Sequence, residues 1–315
     1  MARKSTKKSQ KIAYAITIAV IALVTAVVTH FTDLGEAVKK NSGLVQKPAS
    51  SADLSVHFID VGQGDCTLVM CEGHNMLIDA GESDQGEKVV EYLKAQKIES
   101  LDYVIGTHPH SDHIGGLRAV VNSDIKINKI IMPKIPDSQV PTSYTYTKLL
   151  KAIINKGLTI TSADDSIFEL GSAVINTYTP KKEYKNLNDY SVATKITHGD
   201  NSFLITGDLG KQSEKELVNR GCDLSASVLQ VGHHGSRESS TELFLSKVNP
   251  SYAVIQCGAG NSYGHPHEEA LERINEYASE IYITDTKGTI VFESDKDGMN
   301  IKTQKSDNNK SNEDK

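Results

Sequence analysis

Apolar and polar positions change period several times along the chain, and each change marks an element. Residues 12–29, IAYAITIAVIALVTAVVT, carry no charge and come after Arg3, Lys4, Lys7, Lys8 and Lys11. A run of this length just spans a bilayer, and the basic cluster keeps the N-terminus in the cytoplasm and places the chain beyond residue 30 on the outer side. Cleavage near Val24 and Ala26, a weak small-residue site, is the alternative and would give a secreted form. The expected order is a basic cytoplasmic N-terminus over 1–11, a membrane anchor over 12–30 and a flexible linker over 31–52. The linker residues mix Gly, Ser, Lys and Pro without apolar period.

Short strand-like runs open the next region: LSVHFIDV, CTLVMC and NMLIDAG, separated by Gly-containing turns. Helical spacing comes next in EKVVEYLKAQK, then the buried-strand run LDYVIGT and a helix near GGLRAVV. The second half repeats the theme. SIFEL, AVINTYT, SVATKIT and SFLITGD read as strands, then KQSEKELVNR, STELFLSKV and HEEALERINEYA as helices, among the strands SVLQVG, YAVIQCG, IYIT and GTIVFE. Two halves of this kind predict two mixed sheets packed face to face with helices outside, over residues 53–301. The polar residues 302–315 are expected to be a disordered tail.

Charge narrows the possible partners. Residues 53–301 hold 22 Lys+Arg against 35 Asp+Glu, a formal balance of −13. Such a field repels polyanions, which counts against a broad nucleic-acid-coating surface. Cys66, Cys71, Cys222 and Cys257 contain no CxxC pair, so they form neither a thiolate metal site nor a disulfide framework and read as buried small hydrophobes.

The densest chemistry lies in THPHSDHIGG, residues 107–116, directly after an apolar strand. His108 and His110 flank Pro109, and Asp112 and His113 are adjacent, so one turn aims two imidazoles at one point and a carboxylate–imidazole pair at another. That is ligand spacing for two neighbouring cations. Asp79 ends the strand in LIDAG, Asp208 ends that in LITGD, and His233 and His234 come after a third in LQVGHHGS. A lone carboxylate at a strand end is usually a turn or cap residue. Several segments delivering His or Asp to equivalent strand ends point instead to one rim and one metal site.

HPHSDH matches the HxHxDH signature of the metallo-β-lactamase superfamily, and the succession Asp79, signature, Asp208, His234 resembles its order of motifs. More narrowly, HFIDVGQGDCTLV, GDNSFLITGDL, VGHHGS and NSYGHPHEEAL resemble the hydrolase domain of ComEC-type competence proteins and their stand-alone relatives, over about residues 54–294. The resemblance implies an αββα four-layer sandwich of mixed α/β and α+β character. It implies two divalent metal ions, Zn or Mn. His108 and His110 would hold the first, Asp112, His113 and His234 the second, with Asp208 between them. Asp79 would orient a ligand imidazole from behind. The implied activity is hydrolysis by a metal-bridging hydroxide, with a phosphodiester, DNA among the candidates, as substrate. A small or cell-wall phosphoester is the alternative, then a lactone or other ester, then a metal-stabilised binding domain without turnover. A single anchor departs from the many membrane spans of a full competence channel.

One motif does not match. The superfamily usually supplies a further histidine before the strand preceding the bridging Asp, where this chain reads NLNDYS, so Asn188 or Asp189 would have to replace it. His198 lies nearby, in an apparent hairpin turn. Because neighbours on an extended segment point apart, His234 is assigned to metal and His233 to substrate or proton transfer. In YGHPH, His265 is the candidate for contacting substrate or leaving group, and His267 reads equally as a helix-entry residue. Gln63 and Asp65, in the turn DVGQGD, border the site by resemblance, although turn geometry alone accounts for the glycines. His30, His57 and His74 have no companions and read as structural.

Overall fold

The computed structural model describes residues 52–295 and 298–305. The expected cytoplasmic segment and anchor, nearly all of the linker, and residues 306–315 of the tail lie outside the described residues. No described helix is long and apolar enough to cross a membrane.

Strands β1 (Leu54–Phe58), β2 (Thr67–Cys71) and β3 (His74–Ile78) form an antiparallel meander. Next, β4 (Ser100–Ile105), β5 (Lys126–Met132) and β6 (Ile160–Ser162) each add parallel to the strand before. The second sheet starts with antiparallel β7 (Ser166–Leu170), β8 (Ala173–Tyr178), β9 (Ala193–His198) and β10 (Asn201–Ile205). It turns parallel through β11 (Val228–Gln230), β12 (Tyr252–Ile255) and β13 (Glu280–Ile283). The chain then returns to the first sheet as β14 (Ile290–Asp295) and β15 (Gly298–Thr303). The orders are β15-β14-β1-β2-β3-β4-β5-β6 and β13-β12-β11-β10-β9-β8-β7.

The two sheets bury one shared core between them. Val56, Phe58, Val69, Met76 and Ile105 of the first sheet meet Ile175, Ile196, Phe203, Val228 and Val254 of the second, with Phe292 among them. Alternate positions such as Leu68, Leu77 and Leu204 are buried as well, so the outer faces must also be covered. On the first sheet the cover is α1 (Gly86–Ala95), α3 (Leu117–Asn122) and α4 (Tyr144–Asn155), with the single turn α2 (Ser111–Ile114) beside them. On the second, α5 (Lys211–Asn219), α6 (Glu242–Val248) and α7 (Glu268–Asn275) bury Leu217, Phe244, Leu245 and Ile274 against Leu204, Leu229 and Ala253. A last turn, α8 (Thr284–Lys287), comes after β13. Layers run helix, sheet, sheet, helix, as expected.

Differences from the sequence-based expectation lie at and next to the sheet edges, in β5, β6, α4 and β15: β6 and β15 have no buried residue, and polar Lys126, Asn128 and Lys129 interrupt the apolar positions of β5. The boundary at residue 301 also needs correction. Thr303 pairs with Ile290, Thr289 N donates to Gln304 Oε1 at 2.9 Å, and Lys305 N donates to Lys287 O at 2.8 Å. The ordered domain thus continues through Lys305, because β15 needs its full length to cover the edge of β14. All four cysteines are free.

Candidate metal centre

Register places the chemistry. Ile78 lies opposite Ile105 and Ile105 opposite Ile131, while Leu204 lies opposite Leu229 and Gln230 opposite Val254. Parallel strands in step end in step, so the loops after β3, β4, β10, β11 and β12 emerge on one rim. Two glycines allow these loops to touch. A Cβ on Gly64 would sit 2.2 Å from Asp112 O, and one on Gly116 2.1 Å from Ala80 O. The DVGQGD turn and the histidine loop therefore meet backbone to backbone, with Asp65 N donating to Asp112 O at 3.1 Å.

Asp79 directly succeeds β3 with φ of +58° and is 1% exposed. Its Oδ1 accepts from Thr107 N at 2.8 Å, and its Oδ2 accepts from Thr107 Oγ1 at 2.6 Å and from His113 Nδ1 at 2.8 Å. The proton of His113 thus sits on Nδ1, leaving the Nε2 lone pair 3.1 Å from Asp208 Oδ1. Both of those buried atoms lack a hydrogen bond. His234 repeats the arrangement: Nδ1 donates to Gln256 O at 2.9 Å, and Nε2 faces Asp112 Oδ2 at 3.2 Å and Asp208 Oδ1 at 3.6 Å. The other Asp208 oxygen, Oδ2, faces His108 Nε2 at 3.6 Å, and that nitrogen lies 3.0 Å from His110 Nδ1.

Two groups of potential ligand atoms therefore share Asp208: His108, His110 and Asp208 on one side, and Asp65, His113, Asp208 and His234 on the other, within 4.8 Å of one another in each group. Asp65 belongs to the second group by proximity rather than direction. It lies 3.2 Å from His234 Nδ1 and 3.8 Å from His113 Nδ1, the ring edges turned away from Asp208, and it accepts from Gln230 Nε2 at 2.8 Å. We read it as a buried carboxylate backing two imidazoles, while Asp112 faces the Nε2 edge of His234. A divalent cation fits both groups by their donor set of imidazole and carboxylate without thiolate, and the second group adds the orphaned buried atoms His113 Nε2 and Asp208 Oδ1.

Charge in the site is set by burial against neighbours. Burial opposes ionisation of Asp208, but the imidazoles of His113, His234 and His108 outweigh it and hold the carboxyl well below the usual range. Burial likewise opposes a proton on His113, and the Asp208 and Asp79 carboxylates override it and raise that imidazole well above its ordinary value. Asp65 shifts upward because burial dominates. Carboxylates this crowded demand positive charge, which bound cations would supply in place of protons.

The open side of the centre is a cleft of about 330 Å³ lined by Gln63, His110, Asp112, Asn188, His233 and His265. A larger hollow of about 640 Å³, between Pro133–Asp137 and Thr179–Glu183, contains no histidine. His233 and His234 take φ of +52° and +54°, a left-handed pair where the sequence predicts an extended segment. The segment curls, so their rings do not point apart: His234 is buried in the centre and His233 Nε2 reaches within 3.8 Å of Asp208 Oδ2. Such φ values cost roughly 1–3 kcal/mol each and persist where packing imposes them. Of the candidates for the departing motif, Asn188 enters the cleft and its Nδ2 lies 3.2 Å from His233 Nε2. Asp189 instead accepts from Ser213 Oγ at 2.7 Å, holding the start of α5. His198 sits at the far end of β9, opposite Asn201. His265 lines the cleft with Nδ1 buried and unbonded, and burial with the His233 and His234 imidazoles pushes it down to about 4. His267 caps the entry to α7, its Nδ1 accepting from Arg237 N at 3.1 Å. The backing role of Asp65 is hidden in the sequence because its turn glycines explain themselves; its only signal is a carboxylate ending DVGQGD.

A two-sheet sandwich with imidazoles and carboxylates converging on one rim is the architecture of a metal-dependent hydrolase. Residues 59–259 match the model of the metallo-beta-lactamase superfamily, and the chain belongs to that superfamily. It is 31% identical over 267 residues to ComE operon protein 3 of Bacillus subtilis (strain 168), covering 78% of this chain and 34% of that protein. It is 30% identical over 237 residues to Competence protein ComA of Neisseria gonorrhoeae, covering 74% of this chain and 31% of that protein. The chain thus spans about a third of the length of these curated relatives. Among solved structures, the E377D mutant of the CmlA beta-hydroxylase shares the fold with a TM-score of 0.51 at 11% identity, over 78% of this chain and 55% of that one.

Proposed function

We propose that the chain is a binuclear-metal phosphodiesterase. Its domain would stand on the outer side of a membrane, held by residues 12–29. The observation that carries the activity is the division of Asp208: Oδ1 faces His113 and His234, Oδ2 faces His108. His108, His110 and Asp208 would hold one cation, and Asp112, His113, His234 and the same Asp208 the other, Zn²⁺ or Mn²⁺ by donor type. Bound there, the cations supply Lewis-acid polarisation of the ester and an activated water nucleophile. Only Asp112 and Asp208 bring negative charge among these ligands, so the loaded centre is locally cationic and favours an anionic ester. Thr107, Asp79 and Gln256 fix the ligand tautomers. His265, neutral at pH 7, is placed to hydrogen-bond the substrate rather than to carry a charge. The resemblance to competence proteins favours DNA, whereas the −13 balance over residues 53–301 favours a small or wall-associated phosphoester.

Hydrolysis of bis-p-nitrophenyl phosphate against a neutral lactone, with Zn²⁺, Mn²⁺ or Mg²⁺ and with chelator, tests this reading. The diester should show the higher kcat/KM, chelation should abolish turnover, and Asp208→Asn should lower it at least about 100-fold. Higher kcat/KM on the lactone, or bound metal without turnover under every condition, would overturn it.

A further inference from the structure

Beside the metal centre stands an aromatic ring that the hydrolytic chemistry does not use. Tyr263 lines the same cleft yet is 62% exposed. One face of its ring stacks on His265, with centroids 5.7 Å apart and planes at 21°. His265 meets His233 edge-on at 5.4 Å and lies 6.1 Å from the His234 ring. A continuous series of rings thus leads from the buried metal centre to the lip of the cleft, and the last of them faces solvent.

The loop bearing this ring is braced. Asn261 Nδ2 donates to Gly258 O at 2.9 Å and to His265 O at 2.6 Å, and Asn261 Oδ1 accepts from His265 N at 3.0 Å. Gly258 N donates to Gln63 Oε1 at 3.2 Å, tying the loop to the DVGQGD turn across the cleft. A tyrosine left open to water on a fixed loop presents a large planar surface at little ordering cost.

We propose that Tyr263 is the stacking platform for a planar substituent of the substrate, a nucleobase adjoining the phosphate bound at the metal centre. The inference rests on the phosphodiesterase reading and narrows its substrate to a nucleotide-bearing diester. Base–aromatic stacking tolerates every base, because each has a π-face, so the platform selects for a base without selecting its sequence.

Two diesters with the same leaving group provide the test: thymidine 5′-(p-nitrophenyl phosphate), which has a base, and methyl p-nitrophenyl phosphate, which has none. For the full chain loaded with Mn²⁺ or Zn²⁺, kcat/KM on both is measured for the wild type, Tyr263→Ala and Tyr263→Phe. Tyr263→Ala should lower the ratio of nucleoside to methyl ester by about 5- to 150-fold, chiefly through KM, and Tyr263→Phe should keep it. An unchanged ratio in Tyr263→Ala overturns the platform and leaves the phosphodiesterase reading standing. Failure of the wild type on both esters overturns that reading and the platform with it.

Discussion

Replacing Asp79 by Asn alters one atom type and leaves the volume unchanged, which isolates the orientation of His113. The carboxylate accepts three hydrogen bonds, from Thr107 N at Oδ1 and from Thr107 Oγ1 and His113 Nδ1 at Oδ2. An amide has only one acceptor oxygen for these two faces. If its oxygen replaces Oδ2, the NH₂ opposes the buried N–H of Thr107, and a stranded donor costs about 1–3 kcal/mol of stability. If it is flipped, the NH₂ faces His113 Nδ1, whose proton must move to Nε2, the atom that confronts Asp208. A protonated nitrogen cannot ligate. Loss of such a partner behind a ligand typically weakens metal affinity 10- to 100-fold, about 1.4–2.7 kcal/mol. Apparent Kd from competition with a chromogenic chelator at pH 7.5, together with the urea midpoint of the metal-free protein, reads both outcomes. A variant with the wild-type Kd and the wild-type midpoint would refute the argument.

Two further outcomes are expected. His57, 2% exposed between Ser55 Oγ and Tyr92 OH, is held down to about 4 by burial; the unfolded chain therefore binds the extra proton between about pH 6.5 and 4, stability falls as pH drops through that window, and the loss is at most about 3 kcal/mol. His57→Gln should flatten the difference between urea midpoints at pH 7.5 and 4.5, and an equal acid loss in both proteins counts against this account. His233 Nε2 lies 3.8 Å from Asp208 Oδ2, so His233→Ala should weaken one class of bound cation about 10-fold or more by calorimetry; an unchanged isotherm removes His233 from the metal environment.

Central strands were legible in the sequence because both of their faces are buried. LITGD and LQVG run into the rim as unbroken apolar segments, and the site hangs from their ends. Edge elements lack that signal. In β5, Lys126, Asn128 and Lys129 are exposed, all three residues of β6 are exposed, and β15 has no fully buried residue. Helix α4 buries only Leu149, Ala152 and Ile153. Half-covered elements mix exposed polar residues among their apolar ones, and their period fades. At the candidate site, HPHSDH stands out through its density of imidazole and carboxylate groups. The contribution of Asp65 depends on a backbone contact at Gly64 that no local pattern encodes, and the paired reach of His233 and His234 depends on two left-handed residues.

Support behind the two halves of the centre is unequal, and that inequality has a thermodynamic consequence. His113 is backed by Asp79, and His234 by Gln256 O with Asp65 beside it. Both imidazoles are fully enclosed, and carboxylates behind them raise their basicity as ligands. On the other half, His108 Nδ1 meets the Thr107 hydroxyl at 3.2 Å and no carboxylate among the described residues, and His110 is partly exposed in the cleft next to Asn188. The site made by Asp112, His113, Asp208 and His234 should therefore fill first, and the site of His108 and His110 second. Asp79→Asn and His233→Ala then act on different phases of one titration, the tight phase for the former and the weak phase for the latter. If both variants weaken the same phase, the cations are not divided by Asp208 in the way its two oxygens face.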